Sequence, residues 1–314
     1  MRYIIFVFLY VLLILFHIDV SGSEHGDVQT SVFFCQEIDC TTILLTVLED
    51  HPGAICAFYD IGEPRILEYL RTANHTIYVY ADAADRELQK YTISLQRPGL
   101  MHHKFCVYGD TVLTGSWNPT ERGTYFNDNY VLFLTHPTIA EAYRKEIKRI
   151  TGFKRTHATR LENGTRQVDV FFCPVHHCEQ EVNRYVNTAQ HSIQILSFTF
   201  TSKPLQESLL TAVKRGVQVQ FLQEKRQAHL STIEESLWEA GAEVRYDGNP
   251  FTMHGKVWII DNSTLILGSY NPTKAGTTTN DENLVILTGY PDLVKAFNEE
   301  FARVWSAGVI KPLA

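Results

Sequence analysis

The chain alternates between two rhythms of apolar and polar positions. Short apolar runs at residues 54–59, 192–198 and 218–222, and at Thr76–Tyr80, have the length and the branched and aromatic content of buried strands. Other segments place apolar residues three or four apart. Residues 41–49, 64–72, 179–190 and 204–215 read as helices on this pattern, as do 140–150 and 292–305. Lys104–Tyr108 and Lys256–Ile260 are short apolar strands that end at polar turns, Gly109-Asp110 and Asp261-Asn262-Ser263. Each turn is followed by a strand that leads into Gly-Ser, and then by strands at 130–134 and 284–287. Strands alternating with helices predict an α/β fold in which sheets are covered by helices.

The pattern also occurs twice. Val32-Phe33-Phe34-Cys35 returns as Val170-Phe171-Phe172-Cys173, and His102-His103-Lys104 returns as His254-Gly255-Lys256. Gly115-Ser116-Trp117-Asn118-Pro119-Thr120 returns 153 positions later as Gly268-Ser269-Tyr270-Asn271-Pro272-Thr273. Pro137 and Pro291 each open a helical pattern. Order is kept while the spacing drifts slowly, as in two related units with small insertions. The predicted organisation is a first half at 31–150, a polar link at 151–167 and a second half at 168–314. The repeated signatures should face one shared cleft.

Composition adds limits. The 314 residues hold 28 basic and 35 acidic side chains, a net charge of −7 with neutral His. A broadly basic nucleic-acid coat protein is excluded, but a locally positive pocket is not. Arg2 and an apolar run at 4–16, followed by Ser21, Gly22 and Ser23, read as a signal peptide over residues 1–22, or alternatively as an N-terminal anchor. Either reading predicts export, with the product secreted or held at the outer face of a membrane. Export permits disulfides. Cys35 with Cys40 and Cys173 with Cys178 form two matched pairs, expected as local disulfides in preference to a metal site at His176 and His177. Cys56 and Cys106 lie in apolar runs, and Cys106 is expected to be a buried free thiol.

Each half contributes a His, a Lys two residues on, and a Ser and an Asn beyond a turn. Alternate strand residues share a face, so His102 projects with Lys104 and His254 with Lys256. Two ammonium groups with amide and hydroxyl donors make a phosphate-binding pocket. Two imidazoles add a nucleophile and a general acid. No cluster of carboxylates suited to Mg²⁺ or Ca²⁺ is evident, and no metal or cofactor is expected.

His254-x-Lys256-x4-Asp261, followed by Gly268-Ser269-x-Asn271, resembles the HKD signature of the phospholipase D superfamily. His102-x-Lys104 with Gly115-Ser116-x-Asn118 resembles it too, with Gly109 where the motif has Asp. The size and layout are most similar to the small nuclease-like members. The resemblance implies a phosphohistidine mechanism: one His attacks phosphorus, and the other protonates the leaving oxygen and then activates water. Lys104, Lys256, Asn118 and Asn271 would hold the non-bridging oxygens, Ser116 and Ser269 would shape the pocket, and Asp261 would support the structure. It further implies that each His pairs with an acid of the opposite half, Glu282 with His102 and Asp128 with His254. Near-symmetric halves leave the attacking imidazole open, with His102 preferred. His103 is at most an accessory in the cleft. Trp117 and Tyr270 are open between stacking on a substrate ring and core packing. The expected substrate is a phosphodiester in nucleic acid, with a phospholipid as the alternative, cleaved by a monomer that carries both motifs.

Overall fold

The apolar runs build two mixed β-sheets, one in each half, in a computed structural model that describes residues 26–80, 87–152 and 156–310. The leader expected at 1–22 lies outside the described residues. The first half contains β1 (Gln29–Phe34), α1 (Cys40–Asp50), β2 (Ile55–Phe58), α2 (Pro64–Leu70), β3 (Thr76–Tyr80), β4 (Ile93–Leu95), β5 (Lys104–Tyr108), β6 (Thr111–Gly115), α3 (Glu121–Tyr125), β7 (Tyr130–Thr135) and α4 (Pro137–Ile150). Its strands lie in the order β1-β7-β6-β5-β2-β3-β4. The second half contains β8 (Thr159–Asn163), β9 (Arg166–Cys173), α5 (Cys178–Thr188), β10 (Ser192–Ser197), α6 (Lys203–Lys214), β11 (Gln218–Gln223), α7 (Ile233–Glu239), β12 (Glu243–Tyr246), β13 (Lys256–Ile260), β14 (Thr264–Gly268), α8 (Lys274–Thr278), β15 (Glu282–Thr288), α9 (Pro291–Ala307) and β16 (Val309–Ile310). Its order, β16-β12-β11-β10-β13-β14-β15-β9-β8, repeats that of the first sheet with an extra strand at each edge.

The strand pleat sorts side chains into layers. Phe105 and Val107 of β5, with Val257 and Ile259 of β13, join Tyr143 of α4 and Phe297 of α9 in one core between the sheets. The opposite faces pack beneath α1 and α2, through Cys106 and Leu113, and beneath α5 and α6, through Trp258 and Ile266. Aromatic edges tie the halves together: Tyr143 meets Phe172 at 5.1 Å and Tyr130 meets Phe297 at 5.2 Å, each near-perpendicular. Polar pairs across the boundary add direction. Gly268 N–H donates to the Tyr130 hydroxyl at 2.8 Å, and Asn283 Nδ2 donates to Thr114 Oγ1 at 2.9 Å.

Two expectations change. The link at 151–167 is not all linker, because β8 folds back on β9 through a turn in which Gly164 has φ +58°. Asn163-Gly164 is a hairpin signal inside a stretch that reads as merely polar. Cys106 is not a free thiol. It is disulfide-bonded to Cys56, its direct partner in the antiparallel β2–β5 register, with a Cα–Cα separation of 4.0 Å. Cys35–Cys40 and Cys173–Cys178 are also bonded.

Candidate active site

The core strands deliver the site. His102 precedes β5 and His254 precedes β13, and the two strands occupy equivalent places in their sheets. Across the boundary, Asp281 N–H donates to Leu100 O at 2.8 Å and His102 N–H donates to Asp281 O at 2.9 Å. The mirrored pair is Asp128 N–H to Thr252 O at 2.9 Å and His254 N–H to Asp128 O at 3.0 Å. Each His is thus fixed in its main chain by the opposite half.

The rings are fixed at Nδ1. His102 Nδ1 lies 2.7 Å from Glu282 Oε2, which also accepts from Ser269 Oγ at 2.6 Å. His254 Nδ1 lies 3.0 Å from both Ser116 O and Asn129 Oδ1, and Asn129 Oδ1 accepts from Ser116 Oγ at 3.0 Å. The expected Asp128–His254 side-chain pair is therefore corrected. The Asp128 carboxylate bonds instead to Arg303 at 2.6 Å and to Asn249 at 2.7 Å. Successive strand residues point to opposite faces, so a one-residue slip exchanges the facing side chain. Asn129 stands 13 residues after Ser116, as Glu282 does after Ser269. Counting from the serines, instead of matching acid with acid, finds it.

Gly115 and Gly268 explain the Gly-Ser element. Their φ angles are +148° and +131°, and a Cβ would lie 2.3 Å from Tyr130 O or Asn283 O respectively. Only glycine lets the turn close this tightly against the next strand while presenting the serine hydroxyl.

Both lysines are buried. Lys104 Nζ donates to His102 O at 2.9 Å and Lys256 Nζ to His254 O at 2.7 Å. Each also lies over an aromatic ring, Lys104 over Tyr59 at 5.4 Å and Lys256 over Phe198 at 4.8 Å. The same rings flank the imidazoles, at 5.0 Å for Tyr59–His102 and 4.7 Å for Phe198–His254. These aromatics are a matched pair that the repeat contained and the motif reading passed over. Asn118 Oδ1 and Asn271 Oδ1 are buried without a hydrogen-bond partner among the described residues.

Burial governs the protonation states. It pushes both imidazoles well below their ordinary value, and Lys104 and Lys256 push them further. It also lowers the Lys104 ammonium to about 7, against the pull of Glu282, and drives Lys256 well down, with Lys104 as a repelling neighbour. Glu282 is raised to about 7 by burial, with Lys104 the main opposing influence. At neutral pH each His is a neutral imidazole with its Nδ1 side committed, so reactivity is left to Nε2.

Other expected residues lie elsewhere. His103 is fully buried, 2.7 Å from Glu146, and does not line the cleft. Trp117 and Tyr270 are core side chains, bonded to Thr124 and Thr277 respectively, so neither offers a stacking face. Asp261 closes a turn, accepting the N–H groups of Gln190, His191 and Ser192 at 2.7 to 3.0 Å. Gly109, at the corresponding turn, has φ +44°.

Comparison with known proteins places this geometry. The family described as "Cardiolipin synthase, PLD-like domain" matches residues 60–151 and 182–305. A mitochondrial cardiolipin hydrolase from Chlamydomonas reinhardtii is 31% identical over 137 residues, covering 42% of this chain and 61% of that protein. The chain spans 54% to 65% of the length of the curated relatives it matches. The phosphatidylserine synthase of Haemophilus influenzae is similar in fold, with a TM-score of 0.71 at 13% identity, covering 90% of this chain and 87% of that one. Nuc of Salmonella typhimurium, a phospholipase D family member, is 30% identical with a TM-score of 0.45, covering 47% of this chain and 99% of its own. With both matched segments spanning most of the two halves, the chain belongs to the phospholipase D-like superfamily.

Proposed function

We propose that the chain is a metal-independent phosphodiesterase that works through a phosphohistidine, with a nucleic acid strand as its substrate. The observation that carries this reading is the pair of imidazoles, each held at Nδ1 by the opposite half, beside two buried lysines. Nε2 of His102 attacks phosphorus and the bond to the leaving oxygen breaks. That oxygen takes a proton from Nε2 of His254, which enters this step as an imidazolium, protonated from solvent once the phosphodiester's negative charge offsets Lys256 and Lys104. Water then gives a proton back to His254 as its oxygen attacks phosphorus, and the P–N bond breaks. Lys104 and Lys256 neutralise the charge growing on the non-bridging oxygens, and either Asn118 or Asn271 can turn its NH2 toward them.

The acceptors support His102 as the nucleophile. An ionised carboxylate at Nδ1 stabilises the positive imidazole of the adduct, and Glu282 supplies it to His102. The carboxamide of Asn129 orients His254 without that charge, which leaves it the better proton donor.

For the substrate, Tyr59 stacks on Tyr80 at 5.8 Å and carries Lys104 Nζ over its ring, so this aromatic pair walls the His102 side of the site. The net charge of −7 argues for single strands or short pieces, because affinity for a long duplex comes from many cations. A phospholipid is the second reading, favoured by curated relatives that are cardiolipin hydrolases. Export is part of the proposal, since three disulfides among the described residues suit an oxidising compartment.

The test is activity in EDTA on single-stranded DNA, RNA, an aryl phosphodiester and cardiolipin vesicles, beside His102→Ala and His254→Ala. Cleavage that survives EDTA and disappears in both variants is expected. Loss of cleavage in EDTA refutes the metal-free chemistry, full activity in both variants refutes the site, and cleavage of lipid alone selects the second reading.

A further inference from the structure

Two ion clusters outside the reacting groups stand in equivalent places. The last helix of each half carries a glutamate and, one turn later, an arginine: Glu146 and Arg149 in α4, Glu300 and Arg303 in α9. Arg149 bonds Glu146 at 2.8 and 2.7 Å, and reaches Asp281 of the opposite half at 2.5 Å. Arg303 bonds Glu300 twice at 2.7 Å, and reaches Asp128 of the opposite half at 2.6 Å. These are the two aspartates whose carbonyls accept the His102 and His254 N–H groups. They also immediately precede Glu282 and Asn129, which hold the rings.

We infer that Arg149 and Arg303 are positioning residues, each fixing the histidine of its own half through an aspartate of the other. The inference rests on the phosphohistidine reading above. The path is short, with two hydrogen bonds joined through one aspartate: guanidinium to aspartate side chain, and aspartate carbonyl to histidine N–H, with the next residue in the chain gripping the ring. A bare half-to-half fastening explains the arrangement less well. The apolar core between the sheets already joins the halves, and a buried ion pair adds little net stability over apolar side chains. What the fork of an arginine adds is direction.

The two clamps differ. Arg97, just before His102, adds a second fork onto Asp281 at 2.8 and 3.2 Å, whereas Asn249, in the matching loop, gives Asp128 one bond of 2.7 Å. The side chain of Arg149 is 12% exposed and that of Arg303 is 40% exposed. The His102 clamp is the tighter and more deeply buried, so its loss should cost more.

The experiment uses the full chain with Arg149→Met, Arg303→Met and the corresponding Lys variants. kcat and KM are measured on an aryl and an alkyl phosphodiester, well below each variant's Tm. Because small misplacements of reacting groups are costly, kcat should fall about 10- to 100-fold, more for Arg149→Met, with KM within about threefold. The Lys variants should recover part of the loss. The two Met variants should differ in leaving-group dependence. Arg149→Met should slow both substrates alike, and Arg303→Met, which loosens the proton donor, should slow the alkyl ester more. The reverse order also supports positioning and exchanges the roles of the two imidazoles. Unchanged kcat, or one and the same leaving-group dependence in both variants, overturns the inference. If the wild type cleaves neither ester, or His102→Ala and His254→Ala stay fully active, the phosphohistidine reading has failed and the inference falls with it.

Discussion

Glu282→Gln separates the catalytic from the structural work of one buried carboxylate. Glu282 is fully buried; one oxygen serves His102 and Ser269, while the other has no hydrogen-bond partner among the described residues. Glutamine keeps the shape and removes the charge. An ionised acceptor is worth roughly 1 to 2 kcal/mol more than a neutral one, which predicts about a 5- to 30-fold loss in kcat. Turned so that its NH2 meets Nδ1, the amide would also enforce the wrong tautomer, leaving Nε2 protonated and unable to attack, and the loss would approach that of His102→Ala. Stability should move the other way. Burial raises the carboxyl from 4.5 to about 7, so the folded state favours its protonated form. The stabilising contribution is full below pH 4.5 and is lost as pH rises through about 7, amounting to at most about 3 kcal/mol. Glutamine does not titrate. The unfolding free energy of Glu282→Gln minus that of the wild type should therefore increase between pH 5 and pH 8, as read by urea unfolding at each pH. Asn129→Asp is the reciprocal change and should alter kcat less, because the proton donor does not need a charged acceptor. A kcat for Glu282→Gln within threefold of the wild type, or a stability difference flat with pH, would refute the reasoning.

Three further outcomes follow from the structure. Lys104 is held near 7 without a bound anion, and a phosphate should return it toward its ordinary value. Binding of vanadate or inorganic phosphate near pH 7.5 should then take up protons, seen by calorimetry in buffers of different ionisation enthalpy, and weaken as pH rises; release of protons would contradict this. Removing the Cys56–Cys106 bond as a double Ser variant should cost about 4 kcal/mol by loop entropy, against about 2 kcal/mol for Cys35–Cys40, because 50 residues separate the first pair and 5 the second; equal costs in urea unfolding would show that chain entropy is not the cause. Gly268→Ala should cost at least about 3 kcal/mol, from the positive φ and the close Asn283 carbonyl, and near-neutral unfolding would show that the turn can open.

The sequence made the local periods and the duplication legible, but not the pairing between distant segments. Lys104–Tyr108 and Lys256–Ile260 form the strands expected of them, since each is a short buried run between turn signals. His102, Lys104, His254 and Lys256 converge because alternate strand residues share a face in both halves. The Cys56–Cys106 bond depends on which residue of β2 faces which residue of β5, a register that neither segment carries alone. The β8–β9 hairpin was hidden by a polar exterior. Asn129 was hidden by chemistry: a search for an acid opposite His254 stops at Asp128, whose carboxylate faces Arg303. Pro137 and Pro291 marked α4 and α9 as equivalent helices, but nothing in their pattern shows that Arg149 and Arg303 reach across the boundary.

Asn129 also bears on why two halves share one chain. In a symmetric pair of identical subunits, both histidines must have the same acceptor, so one acceptor must suit attack and proton donation alike. These tasks want opposite things: the attacking ring gains from a negative neighbour as it becomes positive, and the donating ring loses acidity to the same neighbour. Here the serine, the glycine, the lysine and the backbone clamp are kept in both halves, while the acceptor differs, Glu282 on one side and Asn129 on the other. The asymmetry is thus confined to the position where the two roles conflict. A chain with Asn129→Glu restores the symmetric arrangement and, on this reasoning, should slow cleavage of alkyl esters more than aryl esters. An equal effect on both would mean that the acceptors do not divide the roles.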